Sequence, residues 1–121
     1  MRRKKIYLSG PISGYKYEER KCTFSKIREI FELVGYEVMN PLENGLPQEA
    51  STKQHMKEDI KMLLESDKIF MMNGWNHSAG CHTELSVATA LGLEVLFESI
   101  ATSTIIISPI GGLSVVKTEF K

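Results

Sequence analysis

Gly74-Trp75-Asn76-His77-Ser78-Ala79-Gly80-Cys81-His82-Thr83-Glu84, running on into Leu85-Ser86-Val87-Ala88-Thr89-Ala90-Leu91-Gly92, is the stretch that decides how this chain folds. Just upstream, Lys68-Ile69-Phe70-Met71-Met72 is an almost unbroken apolar run, as expected of a strand buried on both faces. It stops at Asn73-Gly74, a small polar loop follows, and Ser78 to Leu91 reads as a helix with Leu85, Ala88 and Leu91 facing inward. Glu84 is thereby expected in the first turn of that helix, where a buried strand end meets solvent. Open α/β sheets bind their ligands at such carboxyl ends of strands. A glutamate there can be a nucleophile or a base, and Ser78 and Gly80 can form an anion pocket. The helix terminus also favours the ionised carboxylate, so Glu84 is expected to be charged at neutral pH.

The same alternation extends in both directions. Lys5-Ile6-Tyr7-Leu8-Ser9 is a β-rich run that stops at Gly10-Pro11. From Glu18 to Val34 the residues Phe24, Ile27, Phe31 and Val34 recur at helical spacing, with Gly35 as the C-terminal cap. Tyr36 to Met39 is a second strand, stopped by Asn40-Pro41, and Leu42 to Ser51 is a long loop of the kind that often walls a site. Ser51 or Thr52 caps a helix bearing Met56, Ile60, Leu63 and Leu64 on one face. Glu94-Val95-Leu96-Phe97 is a fourth strand. Four rounds of strand and helix imply right-handed crossovers and a parallel sheet in a three-layer α/β fold. The whole of 1–121 reads as one domain with its core at about 5–98. The tail over 100–121 holds two β-like runs around Pro109-Ile110-Gly111-Gly112, open to a hairpin, an added edge strand or a subunit contact.

A chain of 121 residues with 42% apolar and 25% charged residues can bury a core without disulfides or metal. Its formal net charge of zero gives no bulk attraction to nucleic acid. The basic start (Arg2, Arg3, Lys4, Lys5) reads as a solvated end ahead of the first strand. No stretch is apolar enough to span a membrane and no leader follows the basic start, which points to a cytoplasmic protein. Cys22 and Cys81 are too few and too far apart for a disulfide framework. His77, Cys81 and His82 lack a fourth ligand and a second paired motif, so no metal and no cofactor is expected. Cys81 reads as a buried small hydrophobe, although a helix N-terminus lowers a thiol pKa.

Parallel connections bring the ends of the first and third strands to one edge of the sheet. Tyr7, Gly10, Pro11, Ile12, Ser13 and Gly14 then approach Asn73, Trp75, Ser78, Gly80 and Glu84. Gly10 and Gly14 allow close backbone approach to a ligand, and Ser13 adds a hydroxyl. Trp75 can stack on a base or pack under its loop. Asp59, beside the core residue Ile60, is a second acid whose pKa desolvation would raise, although Lys57 and Glu58 suggest an exposed face. Two carboxylates with pKa values pushed apart are what glycosyl-bond cleavage uses.

Tyr7-x-x-Gly10-x-Ile12-x-Gly14, Asp59 within Met56-Lys57-Glu58-Asp59-Ile60, and Ser78-x-Gly80-x-x-x-Glu84 together resemble the nucleoside 2-deoxyribosyltransferase superfamily. The nearest likeness is to its small bacterial and phage domains of unknown function, over about Lys5 to Phe97. The resemblance implies a flavodoxin-like (Rossmann-like) fold and a homo-oligomer, dimer or tetramer, with sites near subunit contacts. It implies that Glu84 attacks C1′ of a deoxyribose, Asp59 assists departure of the base, and Tyr7 orients Glu84. It makes Gly10, Pro11, Ile12, Ser13, Gly14, Asn73, Trp75, Ser78 and Gly80 the candidate contacts to a nucleoside or nucleotide. The transferases carry an aspartate where this chain has Ser78. The related deoxynucleoside 5′-monophosphate N-glycosidases carry a serine there that helps hold the phosphate, but they have a basic residue where this chain has Ser13.

The expected activity is therefore cleavage of the N-glycosidic bond of a deoxynucleoside or its 5′-monophosphate, by hydrolysis or by transfer. A non-catalytic nucleotide-binding or sensing domain would use the same pocket. A receiver-like signalling module would need acidic strand ends, whereas these strands end in Ser9-Gly10 and Asn73-Gly74.

Overall fold

The computed structural model describes residues 3–98 and the backbone of 104–107 and 114–117. β1 (Lys5–Ser9), β2 (Glu37–Met39), β3 (Lys68–Met71) and β4 (Glu94–Phe97) form one sheet in the order β2-β1-β3-β4, every pair parallel. β1 is central, with Tyr7 in register with Met39 on one side and Ile69 on the other. α1 (Tyr17–Leu33) covers one face; α2 (Thr52–Leu64) and α3 (Ala79–Ala90) cover the other. That strand order with helices on both faces is the flavodoxin-like arrangement, with its switch point between β1 and β3.

The alternation of β1 separates core from site. Ile6 and Leu8 point to the α1 face, where they meet Phe24, Ile27, Phe31 and Phe70. The rings of Phe31 and Phe70 meet edge to face, 4.9 Å between centroids. Tyr7 points the other way, into a cluster with Leu63, Ile69, Met71, Cys81, Ala88 and Val95. Ser9 follows Tyr7 on that face at a period of two, so both project beneath α3.

Local signals set the helix ends. Ser51 is the N-cap of α2: its Oγ accepts from the Gln54 N–H at 3.1 Å, and the Gln54 side chain accepts from the Ser51 N–H at 2.9 Å. Ser78 caps α3 by accepting from the Cys81 N–H at 3.2 Å. α1 closes at Val34, and Gly35 takes φ +98° beyond it.

Three residues placed in the core on periodicity are exposed: Val34, Leu64 and Leu91. Val34 and Leu91 are the C-caps, past the last inward turn. Leu64 neighbours Leu63, and adjacent helical residues lie about 100° apart, so only Leu63 faces the sheet. Two strand ends also differ by one residue, since Tyr36 precedes β2 and Met72 follows β3. In the tail, β5 (Thr104–Ile107) and β6 (Ser114–Lys117) pair antiparallel in a separate two-stranded sheet, the hairpin alternative. Pro109-Ile110-Gly111-Gly112, Arg2 and the rest of 100–121 lie outside the described residues. Among the described residues no helix is long and apolar enough to cross a membrane.

Candidate active site

Glu84 stands over the end of β1 with a donor on each carboxylate oxygen. Tyr7 donates to Oε2 at 2.5 Å and Ser9 donates to Oε1 at 2.7 Å. The residue is only 6% exposed. Burial pushes its carboxyl from 4.5 up to about 7; the Tyr7 and Ser9 hydrogen bonds oppose the rise and the Asp59 charge adds to it. This corrects two expectations. Glu84 is in the second turn of α3, not the first, and it is not held ionised by the helix terminus. The terminal field fades within the first turn, and desolvation outweighs what remains. Tyr7 is pushed well above its ordinary pKa, by burial first and then by the charges of Glu84 and Asp59, so its hydroxyl stays protonated and donates.

Asp59 is 8% exposed, so helical rotation separates it from exposed Lys57 beside it in sequence. Burial raises its carboxyl, opposed by a hydrogen bond from Asn44 and the proximity of His55, while Glu58 adds to the rise. Asn44 Nδ2 donates to Asp59 Oδ1 at 2.9 Å and lies 3.0 Å from His55 Nδ1.

Glu84 and Asp59 line one cavity of about 600 Å³. Gly10, Pro11, Ile12, Ser13 and Gly14 form one wall, Ser78 and Gly80 another, and the Asn44–Gln48 loop with His55 and Met56 a third. Gly10 is required by space: a Cβ there would sit 2.8 Å from Met72 Sδ and 3.1 Å from Met72 Cβ. Beneath Gly10 the buried guanidinium of Arg20 lies against the rings of Tyr15 and Phe24, at 5.0 and 5.3 Å. No lysine or arginine lines the cavity among the described residues.

Tyr7 does not line the cavity; it reaches it through Glu84. Asn73 and Trp75 do not line it either, against expectation. The Asn73 N–H donates to Glu98 Oε1 at 3.0 Å. The left-handed turn at Gly74 and the 3-10 turn over Trp75–His77 carry the indole away, onto Phe97 and His82. Of the open alternatives for Trp75, packing is the one observed. Burial raises the Cys81 thiol, overriding the lowering expected of a helix N-terminus. His82 Nε2 lies 2.9 Å from the Asn76 carbonyl. Among the described residues, no group of three His, Cys, Asp or Glu is arranged to hold a metal.

Sequence reasoning missed Ser9, Asn44 and His55. Ser9 had a usable signal, its period-two relation to Tyr7. His55 had a weaker one, its i,i+4 relation to Asp59. Asn44 had none beyond the turn-forming Asn44-Gly45 pair.

Among solved structures, a 2-deoxyribosyltransferase from Bacillus psychrosaccharolyticus is 27% identical, with TM-score 0.61, matching 77% of this chain and 70% of its own. A conserved protein from Enterococcus faecalis V583 is 25% identical, with TM-score 0.60, matching 79% of this chain and 63% of its own. A CMP N-glycosidase from Clostridium botulinum, 24% identical with TM-score 0.56 over 78% of this chain and 70% of its own, shares the fold. No curated protein matches the chain. Residues 4–97 match the family described as Domain of unknown function (DUF4406), and on that match together with the Bacillus structure the chain belongs to this family within the nucleoside 2-deoxyribosyltransferase-like superfamily.

Proposed function

We propose that the protein is an N-glycosidase or deoxyribosyltransferase acting on a deoxynucleoside or its 5′-monophosphate, with Glu84 as nucleophile. One observation carries the reading: a buried carboxylate held at both oxygens by Tyr7 and Ser9 shares a cavity with a second buried carboxylate, Asp59. The relation to a 2-deoxyribosyltransferase supports glycosyl transfer or cleavage as the class of reaction.

In the first step the C1′–N bond breaks and its electron pair leaves with the base, which takes a proton from Asp59. A bond forms between C1′ and a Glu84 oxygen through an oxocarbenium-like transition state. In the second step water, or a second base, attacks C1′; Asp59 accepts the incoming nucleophile's proton and Glu84 departs as carboxylate. Positive charge developing on the sugar favours ionised Glu84, which leaves Asp59 as the group that supplies the proton the leaving base needs. Gly10 to Gly14 with Ser78 and Gly80 hold the sugar and any phosphate, using the N-terminus of α3. With two carboxylates and no lysine or arginine lining the cavity among the described residues, the neutral deoxynucleoside is favoured over its monophosphate. The protein works as a homo-oligomer, dimer or tetramer, with its sites near subunit contacts.

The test is incubation with deoxynucleosides, ribonucleosides and their 5′-monophosphates, with and without an acceptor base, followed by chromatography for free base. Release by the wild type and not by Glu84→Ala is the expected result. Full turnover by Glu84→Ala would sink the nucleophile assignment. No release from any substrate, with a ligand-dependent rise in melting temperature, would favour the non-catalytic nucleotide-binding alternative.

A further inference from the structure

The turn at Asn44-Gly45 carries a side-chain amide with every hydrogen-bonding group committed. Its Nδ2 donates to Asp59 Oδ1 at 2.9 Å and lies 3.0 Å from His55 Nδ1, and its Oδ1 accepts from the Leu46 N–H at 3.0 Å. Together these contacts fix which end of the amide is nitrogen. Reversed, it would set oxygen against the Asp59 carboxyl and NH2 against the Leu46 N–H. In the neutral ring they make His55 Nδ1 the acceptor, with its proton on Nε2, which donates to the Gln48 carbonyl at 3.3 Å. Gly45, at φ +85°, lets the chain double back so that Leu46 reaches Asn44.

A protonated carboxyl group carries one proton on one of two oxygens. With Oδ1 of Asp59 held by an N–H donor, the proton is left to Oδ2. Oδ2 accepts nothing from the described residues, yet it is not sealed off. Among the described residues, the only buried side-chain polar atoms without a partner are Nε and Nη2 of Arg20. Asp59 lines the cavity, and Oδ2 is its oxygen not already engaged by Asn44.

We propose that Asn44 is a positioning residue that makes Asp59 a directional acid, occupying Oδ1 so that the proton is presented to the leaving base from Oδ2. The directional acid rests on the glycosyl-cleavage reading; the Asn44-controlled proton does not. As the C1′–N bond breaks, its electron pair goes into the base, which takes the Oδ2 proton at a ring nitrogen. Asp59 is left as a carboxylate whose new charge the Asn44 N–H stabilises at Oδ1. The groups around Asp59 are His55 and Glu58 on α2, Glu84 on α3 and Tyr7 on β1. Of these His55 opposes the effect of burial on Asp59 as Asn44 does, and Glu58 reinforces it.

Asn44→Ala, checked for an unchanged melting profile, is the discriminating variant, because it removes the donor to Asp59 without adding charge. Asn44→Asp keeps the oxygen that accepts from Leu46 but sets a second carboxylate against Asp59, and is its companion. The first readout needs no activity: the Asp59 carboxyl titration followed by carbon-13 NMR. Its midpoint is expected to rise by roughly one pH unit in Asn44→Ala, and further in Asn44→Asp, where the added carboxylate repels the Asp59 charge. The second readout is base release from deoxyguanosine against N7-methyl-deoxyguanosine, whose cationic base departs without protonation. Asn44→Ala should lower release from deoxyguanosine by about 100-fold and from the methylated substrate at least tenfold less. An unmoved Asp59 midpoint overturns the proposal whatever the activity, and so does an equal loss on both substrates. A midpoint that rises in a protein releasing no base from any substrate supports Asn44's control of the proton and refutes only the glycosidase reading.

Discussion

Glu84→Gln should abolish the pH dependence that Glu84 imposes on stability. In the unfolded chain this carboxyl titrates at the ordinary 4.5, and in the folded protein at about 7. Below 4.5 it is protonated in both states and contributes nothing. Between 4.5 and about 7 the unfolded state has released the proton and the folded state has not, so the unfolded state gains and stability falls as pH rises. Above 7 both states are ionised and the loss is complete. At about 1.4 kcal/mol for each factor of ten in proton affinity, the loss is about 3 kcal/mol. Little solvent screening reduces it, because the residue is buried.

Glutamine keeps the shape and cannot titrate. Its single oxygen accepts from one of the two hydroxyls, and the other must turn to accept from the amide NH2. Any cost of that rearrangement, about 1 kcal/mol, is the same at every pH and cancels from the comparison. Urea unfolding of both proteins at pH 5, 6, 7 and 8 gives the difference directly. Glu84→Gln should gain about 3 kcal/mol on the wild type between pH 5 and pH 8. Parallel curves, differing by less than about 1 kcal/mol over the range, would show that Glu84 ionises freely inside the fold and would refute the argument from burial.

Two more outcomes follow from the geometry. Ser9→Ala removes the donor to Oε1, so stability at pH 8 should fall by about 2 kcal/mol in urea titrations while Glu84 titrates at still higher pH. Gly10→Ala sets a Cβ 2.8 Å from Met72 Sδ and should cost about 1–3 kcal/mol by the same assay; a neutral result would show that Met72 yields freely.

The sheet was legible because its strands are short, apolar and bounded by turn residues, and because a buried parallel strand such as Ile69-Phe70-Met71 needs no long-range information to be recognised. The helix faces were less so. Periodicity says which residues share a stripe but not where the stripe leaves the core, which is why Val34, Leu64 and Leu91 were misplaced at helix ends. The ionisation of Glu84 failed for a similar reason. A residue's distance from the helix start fixes the terminal field, but desolvation depends on what the other elements lay over it. Trp75 stayed between two readings because one left-handed turn at Gly74 decides where its ring points. The Asn44–Asp59 contact joins a loop to a helix fifteen residues on, and nothing in either segment names the other.

The placement of Tyr7 explains how an unfavourable group persists at this position. Tyr7 belongs to the hydrophobic cluster under α3, and its ring is fixed there by Leu63, Ile69 and Val95 whether or not Glu84 needs a donor. Its hydroxyl therefore reaches Glu84 with its orientation already set by core packing, and Ser9 stands two residues on along the same strand. Burial of the carboxylate still wins, leaving a deficit of about 3 kcal/mol at alkaline pH, a large share of the roughly 5–15 kcal/mol that holds an ordinary domain together. A carboxylate in the cluster without those hydroxyls would be higher still in pKa and protonated at neutral pH. The two donors bring Glu84 back to about 7, where a useful fraction is ionised in the resting protein and a cationic sugar can draw out the rest. The stability cost and the nucleophile thus have one physical origin. A variant that relieves the first, as Glu84→Gln does, must lose the second.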